Sequence, residues 1–250
     1  MDRDIGLQDR PAYSAREMGS VRCEEVYKCY EGPAGGVEAL RGVSFAIEPG
    51  EFVALWGPSG CGKSTLLHLI GAMDRPTRGA IWLGGERLDQ LSAAERARVR
   101  RHRVGFVFQA FHLLPTLTVL ENAALPLLLE PGQAASAYQE ARRWLEWVGL
   151  ADRLQHYPRQ LSGGEMQRVA VVRAVVHKPD VLLADEPTGS LDSHNGRRIL
   201  ELLAELNRQR GVTVLLATHS AEAAGYARRI FRMRDGRIEG IEAHVPVGRA

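Results

Sequence analysis

The nine residues GPSGCGKST, 57 to 65, restrict what this chain can fold into more than any other stretch. They match G-x-x-x-x-G-K-[ST] and stand between an apolar run, EFVALW (51–56), and a run of helical character, STLLHLIGAM (64–73). A strand, a glycine-rich turn and a helix in that order point backbone N–H groups and a positive helix-dipole end at an anion. The loop of Gly57, Pro58, Ser59, Gly60, Cys61 and Gly62 can cradle the phosphates of a nucleotide. Lys63 can reach the β- and γ-phosphates, and the Ser64 hydroxyl can ligate Mg²⁺. Cys61 offers mainly its backbone there, and no redox role is assigned to it.

The rest of the chain repeats the strand–helix alternation. VSFAI (43–47) alternates as a half-buried strand, while VGFVF (104–108), VLLA (181–184) and VTVLLA (212–217) are dense apolar strands. Apolar strands buried on both faces and separated by helices imply an α/β fold with a largely parallel sheet. Gly84-Gly85 and Asp235-Gly236 are hairpin signals. Ser92 with Glu95, and Thr118 with Glu121, form capping boxes that open helices. Ala137, Ala141, Trp144, Leu145 and Val148 recur at helical spacing, with Gly149 as the C-cap and the tryptophans read as core. A further helix is expected over 195–209 and a short one after Ser220. Residues 1–20 read as a flexible tail, 21–240 as one domain with a helical subdomain inserted over 110–162, and 241–250 as a second tail.

Composition mainly excludes. The formal net charge of +2 gives no global field that marks a nucleic-acid binder. RARVRRHR, 96–103, is the local exception and reads as the solvated face of a helix. Three cysteines, Cys23, Cys29 and Cys61, lack zinc spacing and suit a reducing compartment. The first twenty residues have no apolar signal-peptide core. LLPTLTVLENAALPLLL (113–129) is interrupted by Pro115, Glu121, Asn122 and Pro126, too short and too broken to cross a membrane.

Three further features bear on chemistry. VLLADE (181–186) places Asp185 and Glu186 at the end of a buried strand, where open α/β sheets bind ligands. Asp185 can hold the Mg²⁺ shell, and Glu186 can orient and polarise an attacking water. Gln109, closing VGFVFQ, and His219, in LLATHS, also follow strand ends. QLSGGEMQRVAVVRA (160–174) opens a helix with a serine and two glycines, a phosphate-binding arrangement with no lysine of its own.

Taken together, GPSGCGKST, VFQ, LSGGEMQR, VLLADEPTGSLD and the histidine of LLATHS occur in the order of a known family. Over roughly residues 21–240 the chain resembles the nucleotide-binding subunit of an ATP-binding-cassette (ABC) transporter. The resemblance implies a P-loop NTPase core with a mainly parallel sheet, an antiparallel β subdomain and the helical subdomain. It implies that the 57–65 loop, with Lys63, Ser64 and Thr65, binds MgATP, and that Asp185 is the Walker B acid. Glu186 corresponds to the catalytic base, Gln109 to the Q-loop residue that also touches the metal, and His219 to the switch histidine. Ser190, Leu191 and Asp192 correspond to the D-loop. Tyr30 corresponds to the aromatic that stacks on adenine, with Tyr27 close enough to leave the choice open.

The resemblance also implies whose phosphate the second loop serves. Two cassettes face each other head to tail, so Leu161, Ser162, Gly163, Gly164 and Glu165 of one copy close on the ATP held by the other. Glu165 departs from the usual glutamine; it loses donors and adds charge near a nucleotide. With no membrane span, a transporter role requires separate integral membrane permease subunits and a cytoplasmic position on the inner face of the cell membrane. The motifs look like the lipoprotein-release and macrolide-export group, with Phe111, Leu113 and Leu114 either gripping a membrane partner or covering the subdomain core. The alternatives are a soluble ABC ATPase on nucleic acid or ribosomes and a non-transporting regulator of a division or protease complex. No stable nucleic-acid partner is expected.

Overall fold

Successive residues of the central strands feed opposite cores, which is why those strands read as unbroken apolar runs. A computed structural model of the chain describes residues 19–32, 35–129, 132 and 134–247. The tail expected over 1–20 lies outside them apart from Gly19 and Ser20.

Four strands, β1 (Val21–Tyr30), β2 (Val37–Ile47), β4 (Arg78–Leu83) and β5 (Glu86–Arg87), form an antiparallel sheet in the order β2-β1-β4-β5. The second sheet contains β3 (Phe52–Trp56), β6 (Val104–Val107), β7 (Val181–Asp185), β8 (Thr213–Thr218), β9 (Arg229–Arg234) and β10 (Arg237–Ala243). Its order is β10-β9-β3-β8-β7-β6, parallel throughout except for the β9–β10 hairpin. The helices are α1 (Lys63–Ile70), α2 (Ala93–Arg103), α3 (Val119–Leu128), α4 (Ala134–Trp147), α5 (Gly163–Val175), α6 (Ser193–Arg210) and α7 (Ala221–Ala224).

On one face of the parallel sheet Phe52, Ala54, Leu182, Ala184, Val214 and Leu216 pack with residues of α3, α4, α5 and α6. On the other, Val53, Leu55, Val181, Leu183, Leu215 and Ala217 pack with α1 and the antiparallel sheet. Alternate residues thus serve two layers, as the pleat requires. This is the mixed α/β architecture expected.

Both expected capping boxes form: Ser92 with Glu95 opens α2 and Thr118 with Glu121 opens α3. Pro126 lies inside α3 without ending it. Asn122 on the same helix is fully buried. Its Nδ2 donates to the carbonyls of Leu114, Leu117 and Thr118 at 3.1, 3.0 and 3.0 Å, and its Oδ1 accepts from Leu114 N–H at 2.8 Å. It ties the incoming loop to the helix. Asn122→Ala is expected to cost about 2–4 kcal/mol, because buried backbone groups lose their partners; a denaturant midpoint left at the native value would contradict this.

Three expectations need correction. The C-terminal tail does not start at 241: β10 runs to Ala243, paired with Arg229, and the N–H groups of His244 and Val247 donate to Arg228 and Gly225 carbonyls. This edge strand is mostly exposed, so it carries no alternating apolar signal. The 96–103 run is not uniformly solvated. Arg103 is buried, paired with Asp180 at 2.7 Å and Glu86 at 2.9 Å, and Arg100 donates to the Ala72 carbonyl at 2.7 Å. Of the α4 tryptophans, Trp144 is core but Trp147 is 41% exposed.

Candidate functional site

The strand order decides what meets at the carboxyl edge of the parallel sheet. β3, β8, β7 and β6 are neighbours in that sequence. Their ends deliver, in a row, the 57–65 loop, His219, the Asp185–Glu186 pair and Gln109.

The loop leads into α1 through Gly62, whose φ of 103° is left-handed and whose added Cβ would stand 2.5 Å from the Ala39 carbonyl oxygen. Only glycine fits there. No side chain caps α1, whereas α2, α3, α5, α6 and α7 are each capped by a serine, threonine or aspartate. The N–H groups of its first turn therefore face the loop. Buried Lys63 folds back over it, its Nζ donating to the carbonyls of Gly57 at 2.8 Å and Pro58 at 2.9 Å.

The same ammonium stands 3.6 Å from Glu186 Oε1, and His219 Nδ1 lies 3.0 Å from Glu186 Oε2. Glu186 is the first residue past β7 and takes a left-handed φ of 45°; its N–H donates to the Ala217 carbonyl at 2.9 Å. That kink swings its carboxylate between the two bases. Asp185 keeps the strand direction. The Ser64 hydroxyl donates to it, and burial pushes its carboxyl pKa up, against the opposing pull of that bond. Asp185 Oδ1 is buried with no hydrogen-bond partner.

Tyr30 is 41% exposed and hydrogen-bonds to Asp74 Oδ2 at 3.1 Å and to Thr65 in the first turn of α1. Burial, followed by Asp74, pushes its phenol pKa up. Tyr27 is turned elsewhere, with Arg78 4.2 Å over its ring. Of the two, Tyr30 stands beside the phosphate loop. Gln109 is exposed, and its amide lies against Gly189, where an added Cβ would come within 2.9 Å of Nε2. In this state it rests on the segment between Glu186 and the 190–192 stretch.

Ser162 is the N-cap of α5 in a third capping box, with Glu165 as its partner. Gly164 is explained from inside the chain: an added Cβ would stand 2.4 Å from Asn195 Oδ1. Asn195 is in turn held by Asp192, which caps α6 by accepting from Asn195 N at 2.9 Å. That bond holds the Asp192 carboxyl below its usual range. The 161–165 loop and the 190–192 stretch are therefore one packed unit, with Leu161 buried and Ser162 and Ser190 exposed. Of the apolar residues near Gln109, Leu113 packs on the core and Leu114 is 43% exposed.

Sequence reasoning missed Gln167. It is fully buried on α5, and its Nε2 donates to the Phe108 carbonyl at 3.1 Å and the Pro187 carbonyl at 2.7 Å. It joins the helix behind Ser162 to the residue before Gln109 and the residue after Glu186. The available signal was a polar residue on the buried face formed with Val171, Ala174 and Val175.

With this geometry in view, the comparisons are concordant. The ABC transporter family matches residues 40–189. An uncharacterized ABC transporter ATP-binding protein of Methanocaldococcus jannaschii is 45% identical over 221 residues, 88% of this chain and 98% of that protein. One of Thermotoga maritima is 49% identical over 218 residues, 87% of this chain and 93% of that protein. Two dimeric structures of the cassette MJ0796, one in a post-hydrolysis state bound to ADP and Pi, match with TM-scores of 0.83 and 40% identity. Each covers 89% of this chain and 98% of that chain.

Proposed function

This chain belongs to the ABC transporter family as an ATP-binding subunit with the ABC ATPase fold, and from that premise we propose that two copies close head to tail around two MgATP to drive separate membrane subunits. The observation that carries the reading is the Lys63–Glu186–His219 chain at the sheet edge, beside an uncapped helix N-terminus. Dimeric neighbours at 40% identity support the second copy.

In this reading the 57–65 loop and Lys63 take the ATP phosphates, and Tyr30 stacks on the adenine. The incoming γ-phosphate draws the Lys63 ammonium from Glu186, which leaves that carboxylate free to orient and polarise a water. His219 holds its other oxygen, and Gln109 leaves Gly189 to reach the same centre. The residues present fit a divalent ion: the Ser64 hydroxyl and the unpartnered Asp185 Oδ1 are hard oxygen donors side by side. Among the described residues no group of three or more His, Cys, Asp or Glu could hold a metal. That suits an ion bound mainly through phosphate oxygens and water. When bound, Mg²⁺ supplies charge neutralisation on the β- and γ-phosphate oxygens.

Ser162, Gly163 and Gly164 close on the second copy's nucleotide, and Ser190, Leu191 and Asp192 move with them as one unit. No helix among the described residues is long and apolar enough to cross a membrane; in this reading the permease is a separate chain and this one works from the cytoplasmic face of the membrane. The motif set around Gln109 and the 185–192 stretch favours export, lipoprotein release or mechanotransmission. The nucleic-acid reading loses support, because Arg100 and Arg103 of the basic run are spent inside the chain.

The test is phosphate release from MgATP by the purified chain, with and without solubilised membranes of its source, and with DNA or RNA instead. Hydrolysis stimulated by the membrane partner is expected. Stimulation by nucleic acid alone keeps the ATPase and removes the transport role.

A further inference from the structure

The capping box at Ser162 uses an ionised residue in a place where ionisation is a liability. Glu165 Oε2 accepts from the Ser162 N–H at 2.8 Å and from the Ser162 hydroxyl at 2.9 Å, while Ser162 Oγ accepts from the Glu165 N–H at 3.3 Å. Its other oxygen, Oε1, lies 3.2 Å from Arg153 Nε. Bonding to the Ser162 N–H, with Arg153 as a lesser contributor, holds the Glu165 carboxyl below the usual carboxylate range.

We propose that Arg153 is a positioning residue that neutralises Glu165, so that Ser162 and the α5 N-terminus can accept the second copy's triphosphate. The inference rests on the head-to-tail reading above. Two physical effects carry it. A helix N-terminus presents roughly half a positive charge, and a full carboxylate within its first turn outweighs that and repels an incoming phosphate. Arg153 restores the balance from a different element, the turn at 151–153 that follows α4. The second effect concerns a proton. The Ser162 hydroxyl already donates to Glu165, so it must leave that acceptor before it can donate to a γ-phosphate. Guanidinium bonding at Oε1 draws electron density from Oε2 and weakens its hold on the serine.

Arg168 also senses the Glu165 charge, yet its pKa is pushed down, first by burial and then by Arg198, and its Nε is buried with no hydrogen-bond partner. Arg153 and Glu165 side chains are 45% and 21% exposed in the single copy. An exposed pair of this kind adds little to folding stability. Its effect emerges when the second copy removes water from around it. With glutamine at position 165, the amide oxygen can still cap Ser162, but its NH₂ would face the guanidinium, donor against donor. Arg153 then has nothing to neutralise.

The experiment is a double-mutant cycle of Arg153→Ala and Glu165→Gln, built on Glu186→Gln so that hydrolysis does not disperse the dimer. Light scattering reads the MgATP concentration at half-maximal dimer, and a thermal melt reads stability. Arg153→Ala should raise that concentration about tenfold beside the native glutamate and less than about twofold in the Glu165→Gln background. Arg153→Lys should recover most of the loss, and the melting temperature should stay put. Equal shifts in both backgrounds, no shift at all, or a loss that tracks a lowered melting temperature each overturn the proposal. If the reference protein stays monomeric at saturating MgATP, the head-to-tail reading falls and takes this inference with it; the ATPase assignment is unaffected.

Discussion

Glu186→Gln is expected to bind MgATP at least as well as the native chain and to hydrolyse it about 10²–10⁴-fold more slowly. The geometry separates the two effects. Glu186 stands 3.6 Å from Lys63 and 3.0 Å from His219, with its backbone kinked at φ 45°. Glutamine keeps the side chain's length and its bond to the histidine but cannot draw a proton from water. It also frees Lys63, which in the native chain must leave one carboxylate to meet a phosphate. Affinity should therefore hold or rise while the chemical step collapses, and ATP-closed dimer should accumulate. Single-turnover phosphate release and nucleotide affinity on the same preparation check this. Native turnover in the variant would remove Glu186 from the role of base; loss of affinity in proportion to rate would make it a binding group instead.

What the sequence disclosed was local. The strand–loop–helix at 57–65, the acids past β7, and the boxes at 92–95 and 118–121 are each specified by residues within one turn or one strand end. Their gathering at one edge followed from parallel pairing. Contacts across the fold were not legible. Asn122, Gln167 and Arg153 find partners 8, 20 and 59, and 12 residues away, and no periodicity announces such pairs. Gly164 looked like an opening for an anion, but the structure shows it is first a seat for Asn195. The Asp235-Gly236 turn announced the β9–β10 hairpin, but the run of β10 past 240 was missed because an exposed edge strand needs no apolar alternation. Tyr30 and Tyr27 could be told apart only once the strand register had turned one toward Thr65 and the other under Arg78.

Lys63→Ala should weaken MgATP binding by about 10²–10³-fold, equivalent to about 3–4 kcal/mol. Hydrogen bonds to charged groups contribute about 1.5–3 kcal/mol each; the Lys63 ammonium, folded over the loop, would make two of them to the β- and γ-phosphates, and their loss accounts for the size. There is a cost without nucleotide as well. The Gly57 and Pro58 carbonyls lose their donor, and Glu186 loses a cation at 3.6 Å. A loosened loop and a lost phosphate contact would both lower affinity, so the variant must be paired with Lys63→Met, which refills the volume without the charge. If charge is the cause, both variants bind equally poorly, and Lys63→Met melts closer to the native temperature than Lys63→Ala. If loop order is the cause, Lys63→Met recovers much of the affinity. Near-native binding in both would remove the phosphates from this loop altogether, and the 57–65 motif would then be a turn that shapes α1 and nothing more.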